Sequence, residues 1–232
     1  MAVHQTLPNG IELTIERVGN EQTPVVMFDN FPVLPERPTS LDGFAPDKHS
    51  YYPGLRKVLP KPYVVKALQC IYMALYDIYQ VPKHKQLKVL DNYFSLITTQ
   101  PQELALLQRL PHFDSTHEHY FAVLHYLDEN PHGGTGLFRH NQTGFESINE
   151  ANIEQYLAIC QQEITEYGEP AQLFPSQSTQ QFELYYQIPY KPNRVAIYPG
   201  KLLHSTIVNV ATDVSGNLAG GRLTSNIFIE YK

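Results

Sequence analysis

The chain has 232 residues, of which 42% are hydrophobic and 17% are charged, and these are ordinary values for one well-cored globular domain. Its formal net charge of −6 excludes the basic surface on which binding to nucleic acid or to an anionic membrane depends. The sequence has no apolar run of about eighteen residues, so no membrane-spanning helix is predicted. The N-terminus lacks the basic-then-apolar order of a signal peptide. Cys70 and Cys160 are isolated, which favours buried thiols in a reducing cytoplasm.

Residues 1–90 are predicted to form a wrapping arm and a buttressing helix of the same domain as a core at 91–232. The first sixty residues are rich in proline and turn formers, which argues against long regular elements, and a short strand around Pro24–Phe28 is expected there. A helix is predicted over residues 62–80, with Pro62 in its first turn and Pro82 ending it. Its buried stripe should comprise Val64, Val65, Leu68, Ile71, Tyr72, Leu75, Ile78 and Tyr79.

A second helix is predicted from about Asn149 to Tyr167. Ser147 and Glu150 have the spacing of a capping box, and Gly168 follows the last turn. We expect both helices to buttress the outer sheet of the fold.

The rest of the chain predicts short strands that are rich in aromatic and β-branched residues and bounded by turn formers. Eight such strands over about 140 residues are typical of a double-sheet jelly roll or barrel. The fold class is therefore mainly β with flanking helices. The predicted strands are Tyr93–Thr98, Leu107–Phe113, Tyr120–Leu127, Gly136–Arg139, Leu184–Ile188, Arg194–Tyr198, Ser205–Val210 and Leu223–Tyr231.

The most informative motif is His112-Phe113-Asp114, which is followed much later in the chain by His204. Side chains two apart on a strand point to the same face, so His112 and Asp114 can reach one metal ion together. Two imidazoles and one carboxylate are the ligands of the facial triad that binds Fe(II) and leaves three coordination positions open. Arg222 and Thr224 share one face of the last predicted strand, where a cation could bind a metal-chelating dicarboxylate.

These motifs resemble the core of the Fe(II)/2-oxoglutarate dioxygenases, in particular the prolyl-hydroxylase-like members. The resemblance covers His112-Phe113-Asp114, the strand that ends in Tyr126-Leu127, the Gly133-Gly134 turn, and Asn226-Ile227-Phe228 after a basic residue. The chain further resembles a bacterial family of unknown function that is placed within that superfamily. This second resemblance also depends on Tyr52-Pro53-Gly54-Leu55-Arg56 and Gly221-Arg222-Leu223-Thr224. It spans roughly residues 51–232.

The resemblance implies a double-stranded β-helix, of jelly-roll and cupin-like type, that uses Fe(II) and 2-oxoglutarate. It implies that His112, Asp114 and His204 hold the iron and that Arg222, assisted by Thr224, binds the distal carboxylate of 2-oxoglutarate. Asp114 favours hydroxylation or a related oxidation over halogenation, since the halogenases of this superfamily have a small residue there. One departure is the eighteen residues from His204 to Arg222, where many members have nearer ten; a longer hairpin over Thr212–Gly221 would absorb the difference.

Several alternatives remain open at this stage. His117, Glu118 and His119 offer another metal set, whereas His125 and His132 are more typical of core or turn histidines. Tyr126, Arg139 and His140 either line the pocket or simply pack, because a register error of one residue reverses the face of a strand.

Two rival functions also remain. One is a cupin-like metalloprotein that does not use 2-oxoglutarate, and the other is a non-catalytic jelly-roll binding module. The expected substrate is a small molecule or a peptide, and no residue pattern identifies it or the oligomeric state.

Overall fold

The computed structural model describes residues 2–7, 10–47 and 51–232. It is mainly β, with two antiparallel sheets and three helices among the described residues. The larger sheet has nine strands in the order β1-β2-β3-β10-β7-β12-β6-β5-β4, and the smaller has the order β11-β8-β9. None of the helices in the described part of the chain is both long and apolar enough to cross a membrane.

The strands of the larger sheet come from both ends of the chain. They are β1 (Val3–Thr6), β2 (Glu12–Val18), β3 (Thr23–Asp29), β4 (Ala45–Pro46), β5 (Gly54–Val58), β6 (Leu87–Ile97), β7 (Tyr120–Tyr126), β10 (Val195–Pro199) and β12 (Leu223–Tyr231). The smaller sheet consists of β8 (Thr135–His140), β9 (Phe182–Ile188) and β11 (His204–Thr206). The helices are α1 (Lys61–Ile78), α2 (Ile153–Tyr167) and the short α3 (Val210–Asp213).

Helix α1 covers the outer face of the larger sheet. Ile71 and Leu75 are fully buried against a core that includes Leu96, Ile227 and Ile229. The predicted helix is confirmed, but Val65 and Tyr72 are exposed. They lie off the 3.6-residue stripe, and Tyr63 and Ala67 are buried instead.

Helix α2 packs behind the smaller sheet rather than on the outer, larger one. Its Tyr156 joins a core cluster with Phe138, Phe182 and Leu203. The helix ends at Tyr167 as predicted but begins at Ile153, and the expected capping box is wrong. The hydroxyl of Ser147 instead donates to Glu21 at 2.6 Å.

The inner faces of the two sheets meet in a third cluster. Met27, Ala122 and Ala196 from the larger sheet pack there with Leu137 and Ile188 from the smaller sheet. This packing sets the two inner faces against each other, and every residue of the candidate site projects from one of those faces or from the loops beside them.

The N-terminal sixty residues contain more regular structure than their prolines suggested. Strand β3 is confirmed, but β2 and β5 are also present and pair directly with β3 and β6. Among the described prolines, Pro32, Pro35, Pro38 and Pro53 lie between strands, where a missing N–H breaks no ladder hydrogen bond.

Among the later predictions, β12 has the predicted bounds, and β7, β8, β9 and β10 differ by at most two residues at each end. Strand β6 starts at Leu87, six residues before the predicted Tyr93, and its first half is mostly exposed. The predicted strand Leu107–Phe113 is wrong, since Leu106–Arg109 form a 3₁₀ turn. Strand β11 starts one residue early and stops at Thr206, and α3 occupies the end of the predicted strand.

Candidate metal centre

Residues His112 and Asp114 lie on a short extended segment beside β11 rather than on a full strand. The amide of His112 donates to the carbonyl oxygen of His204 at 2.9 Å, and the amide of His204 donates back at 2.7 Å. Two residues further on, the amide of Asp114 donates to the carbonyl oxygen of Gly200 at 2.7 Å. The predicted alternation therefore holds locally, with Phe113 turned the other way, towards Tyr156.

Gly200 is required for this approach. A Cβ atom at this position would lie 2.4 Å from the Tyr120 ring and 3.2 Å from the Cβ of Asp114. The turn Pro199-Gly200 after β10 thus lets the chain carry His204 back towards Asp114 without a steric clash.

The structure brings the three predicted ligands together, with one donor atom from each lying within 4.8 Å of the others. Nε2 of His112 is 3.9 Å from Oδ1 of Asp114, and Nε2 of His204 is 3.7 Å from Oδ2. These distances are too long for hydrogen bonds. An ion with ligand bonds of about 2.1 Å would hold its donors roughly 3 to 3.5 Å apart, so small side-chain movements would close such a site.

His204 is fixed in the tautomer that a metal ligand needs. Its Nδ1 lies 2.8 Å from the carbonyl oxygen of Leu202, which can only accept, so the proton sits on Nδ1. Nε2 then carries its lone pair towards Asp114. A backbone partner on the second imidazole nitrogen is the usual way in which a metal-binding histidine is oriented.

Asp114 has a buried carboxylate oxygen without a hydrogen bond. Within the described part of the chain its Oδ2 has no hydrogen-bond partner, and burial raises the pKa of the carboxyl group, an effect that protonated His204 and Arg56 only partly offset. A buried anionic oxygen left unpaired is costly. A cation between Asp114 and the two imidazoles would remove that cost.

His112 occupies the more accessible side of the group. Desolvation first, then repulsion by His204 when that imidazole is protonated and by Arg56, holds its pKa well below the usual value. Although 55% of the side chain is accessible to solvent, so that desolvation is incomplete, this direction favours the neutral imidazole that a metal ion binds.

Arg222 is the largest fully buried side chain among the described residues, at 1% exposure. Its Nε donates to the carbonyl oxygen of Gly133 at 2.8 Å and its Nη2 to that of Gly134 at 3.3 Å. The guanidinium carbon lies 5.5 Å from the centroid of the Tyr126 ring. Within the described part of the chain, no carboxylate forms an ion pair with Arg222 and Nη1 makes no hydrogen bond.

The other arginines that could take a similar role are already paired. Arg139 binds Glu146 and Glu183, Arg194 binds Asp29, and Arg109 lies 3.1 Å from Glu169. A buried cation without a counter-charge is unfavourable unless an anion joins it, and Arg222 therefore has the environment of an anion-binding residue.

Thr224 is buried on the same face of β12 as Arg222, two residues further along. It is directly opposite Tyr126 on β7 and Ser95 on β6. Its Oγ1 accepts a hydrogen bond from the Asn226 side chain at 3.1 Å. The sequence left Tyr126 undecided between pocket and packing; strand register puts it against Arg222 and Thr224.

Tyr198 connects the two halves of the site. Its ring centroid is 5.0 Å from that of His204. Burial holds its pKa well above the usual value, the negative charge of Asp114 adds to this, and Arg222 opposes it. The buried phenol of Tyr198 is thus influenced by the charges of both Asp114 and Arg222. The sequence had indicated Tyr198 only as the last residue of a strand.

The unexpectedly long segment between His204 and Arg222 has a structural role. It is not a simple hairpin, because β11 and β12 lie in different sheets and α3 lies between them. Asp213 at the end of α3 is fully buried and accepts hydrogen bonds from the amides of Gly133 and Asn209. It thereby holds the Gly133 turn, whose carbonyl oxygens bind Arg222.

Three other histidines that the sequence singled out are held in other contacts. His117 binds Glu230, and Glu118 binds Lys201 at 2.6 Å, so the alternative metal set does not assemble. His132 lies between Asp128 and Asp213, and His125 between Tyr63 and Asn193. These contacts support structural roles.

A second group of metal-binding residue types consists of His140, Cys160 and Glu163. Nε2 of His140 is hydrogen-bonded to Glu163 at 2.9 Å and Nδ1 to Thr143 at 2.9 Å, so neither nitrogen is available. Burial raises the pKa of Cys160 to about 11, which keeps the thiol protonated, whereas metals bind the thiolate. This group fits a hydrogen-bonded support for α2.

Comparison with known proteins identifies a family for this chain. No curated protein matches the chain. A family model described as "Family of unknown function (DUF6445)" matches residues 9–229, which is nearly the whole chain and includes every residue of the candidate centre. The chain therefore belongs to the DUF6445 family.

Proposed function

We propose that this protein is an Fe(II)/2-oxoglutarate-dependent dioxygenase that oxidises a small molecule or a peptide, and that its facing sheets form a double-stranded β-helix of jelly-roll type. The proposal rests on one relationship. Three neutral or anionic donors stand close together without hydrogen bonds between them, and a buried arginine without a carboxylate partner shares their interior. A cation bound by the three donors and a dicarboxylate bound by Arg222 would compensate the unpaired groups at both positions.

The donor set fits iron. Two imidazoles and one carboxylate bind Fe(II) and leave three positions for a chelating cosubstrate and O₂. The buried Oδ2 of Asp114, which has no hydrogen bond within the described part of the chain, supports a bound cation at this position. When bound, Fe(II) and 2-oxoglutarate would together supply the oxygen-dependent oxidation, with succinate and CO₂ as products.

The protein's own residues would bind and orient the metal ion and the cosubstrate. His204 is held by its Nδ1 bond to Leu202, and Asp114 is held by its amide bond to Gly200. Arg222 would receive the distal carboxylate of 2-oxoglutarate in a planar, charge-assisted pair, with the Tyr126 and Thr224 hydroxyl groups beside it. The buried Tyr198 would separate the two ends and help to keep water out.

Substrate-dependent turnover tests this function. Purified protein with Fe(II), 2-oxoglutarate, ascorbate and O₂ should form more succinate when small-molecule or peptide fractions of a cell extract are added. Asp114→Ala should abolish the increase while circular dichroism shows that it is folded. If wild type and variant form the same succinate across the fractions, the dioxygenase proposal fails and a binding module is the better account.

A cupin-like metalloprotein that ignores 2-oxoglutarate would give a different outcome. It would bind metal through the same three ligands, but Arg222→Leu would leave all its metal-dependent properties unchanged. The dioxygenase proposal requires that this variant lose the response to 2-oxoglutarate.

A further inference from the structure

Arg56 on β5 is a second cation on the inner face of the larger sheet. It lies opposite Ser95 on β6, which lies opposite Thr224 on β12, which lies opposite Tyr126 on β7. Directly opposed residues of neighbouring strands project from the same face. The Arg56 side chain therefore projects into the same space between the two sheets as the side chains of Thr224 and Tyr126.

Ring contacts connect Arg56 to the metal ligands. Its guanidinium carbon is 5.9 Å from the ring centroid of Phe228, and that centroid is 6.3 Å from the ring centroid of Tyr120. Tyr120 and Asp114 in turn lie on either side of Gly200, where an added Cβ atom would be 2.4 Å from the Tyr120 ring and 3.2 Å from the Cβ of Asp114. Arg56 therefore lies on the side of the inter-sheet space that holds the triad.

Aromatic rings hold the Arg56 guanidinium in place. Its central carbon is 4.5 Å from the ring centroid of Tyr52, 5.1 Å from that of Tyr93 and 5.9 Å from that of Phe228. The side chain is 13% exposed. A partly desolvated guanidinium between aromatic faces is oriented in advance for a planar anion, and the rings add apolar contact area.

A carboxylate already binds this guanidinium. Nη1 of Arg56 donates to Oδ2 of Asp47 at 2.9 Å, and Asp47 is also 13% exposed. Asp47 follows directly on β4, which pairs with β5 beside Arg56. The contact shows that a carboxylate fits against Arg56 in this setting, and Asp47 would compete with any external carboxylate for it.

We propose that Arg56, with the rings of Tyr52, Tyr93 and Phe228, forms a subsite for a substrate that carries a carboxylate group next to an apolar or aromatic moiety. The substrate's carboxylate binds Arg56 beside or in place of Asp47, and its apolar part lies against the rings near the open side of His112. The naming of this ligand as a substrate rests on the proposed dioxygenase function. The existence of the carboxylate subsite does not.

Binding of benzoate, compared with its neutral analogue benzamide, tests the subsite. Titrations of the metal-free full chain, followed by NMR, need neither iron, 2-oxoglutarate nor turnover. Wild type should bind benzoate roughly tenfold or more tightly than benzamide, which is what a hydrogen bond to a charged group contributes. Arg56→Gln should abolish this preference, and Arg56→Lys should retain part of it.

Asp47→Asn separates the subsite from a merely structural ion pair. Both Asp47→Asn and Arg56→Gln break that pair, so a structural role predicts that they damage binding alike. The proposed subsite predicts opposite signs, with benzoate bound more tightly by Asp47→Asn and more weakly by Arg56→Gln. Arg139→Gln, at an arginine that is likewise paired with carboxylates but lies outside the proposed subsite, should leave benzoate binding unchanged.

Three results would overturn the proposal. They are equal affinity of wild type for benzoate and benzamide, changes of the same sign in Asp47→Asn and Arg56→Gln, or a loss of benzoate binding in Arg222→Leu that Arg56→Gln does not show. If the benzoate results hold while 2-oxoglutarate has no effect on the protein, the subsite stands and the dioxygenase function fails.

Discussion

His112 and His204 are joined through their backbones by a reciprocal pair of hydrogen bonds of 2.9 and 2.7 Å. The pair holds two imidazoles from distant parts of the sequence side by side, with their ring centroids 4.4 Å apart. Because the main chain makes these bonds, the register of the two ligands does not depend on their side chains. Ligand variants should therefore fold, and loss of metal can be read separately from loss of structure.

The first prediction concerns this ligand set. Wild type should bind one divalent ion per chain, and Asp114→Ala, His112→Ala and His204→Ala should each weaken binding at least about tenfold, since each removes a direct ligand. Calorimetric titration with Fe(II) under nitrogen measures the affinity. His117→Ala is the matched control and should bind normally. A double variant of His112 and His204 that still binds one ion would refute the ligand assignment.

The second prediction separates the triad from the group around Cys160. The triad has no sulfur donor, so the Co(II)-loaded protein should lack an intense thiolate-to-cobalt band, and Cys160→Ser should bind as much Co(II) as wild type. The physical reason is that the His140 nitrogens are both hydrogen-bonded and that burial keeps Cys160 protonated. A thiolate band that disappears in Cys160→Ser would show that this second group binds metal.

The third prediction concerns the turn that carries Arg222's backbone partners. A Cβ atom at Gly133 would lie 1.7 Å from the carbonyl oxygen of Ile207, which is backbone and cannot move aside cheaply. Gly133→Ala should therefore destabilise the fold by about 1–3 kcal/mol, as overpacking does. Gly216→Ala is the control, because no atom lies within 4 Å of the added Cβ there. Urea unfolding of both variants compares them, and equal midpoints would contradict the steric account.

The fourth prediction is a pH dependence of stability. Burial lowers the pKa of His125 to about 4, although Asn193 opposes the shift, whereas a histidine in the unfolded chain has a pKa near 6.5. Between these values the unfolded chain takes up a proton that the folded chain refuses. The stabilisation is therefore complete above about pH 6.5 and is lost as the pH falls towards about 4, with a total on the order of 3 kcal/mol.

His125→Gln tests this by removing the titrating group. The slope of unfolding free energy against pH should flatten in that window relative to wild type, even if the variant is less stable throughout. His84→Gln, at an exposed position, should keep the wild-type slope. An unchanged slope in His125→Gln would show that other groups cause the acid sensitivity.

The sequence predicted the parts of the fold where hydrophobic periodicity and tertiary burial agree. Helix α1 and strand β12 have clear apolar patterns, and the structure has both. Strand β2 was missed although Leu13 and Ile15 alternate with polar residues, because it lies in the stretch rich in proline and turn formers. The first half of β6 is mostly exposed, and its apolar residues Val89 and Leu90 are adjacent, so its sequence does not indicate one buried face. The Ser147 capping box failed because its hydroxyl has a tertiary partner, Glu21, that local sequence cannot reveal.

The residues of the candidate site also divide into those that the sequence predicts and those that only the structure reveals. His112, Asp114, His204 and Arg222 could be named from residue type and order along the chain, and the structure brings the first three together. The roles of Tyr198 and Arg56 depend on which strands are neighbours and on their register, since a shift of one residue reverses the face of a side chain. The pairing of Arg56 with Ser95 and Thr224 across three strands cannot be derived from spacing along the chain.

An anaerobic optical titration tests the central claim, that the triad holds Fe(II) and Arg222 holds 2-oxoglutarate, most directly. With Fe(II) bound, added 2-oxoglutarate should produce a weak visible charge-transfer band that saturates at one equivalent, because its keto-acid end chelates the iron. Asp114→Ala should give no band, and Arg222→Leu should need at least about tenfold more 2-oxoglutarate while binding Fe(II) normally. Absence of the band in folded, iron-loaded wild type, or an unchanged titration in Arg222→Leu, would contradict the account.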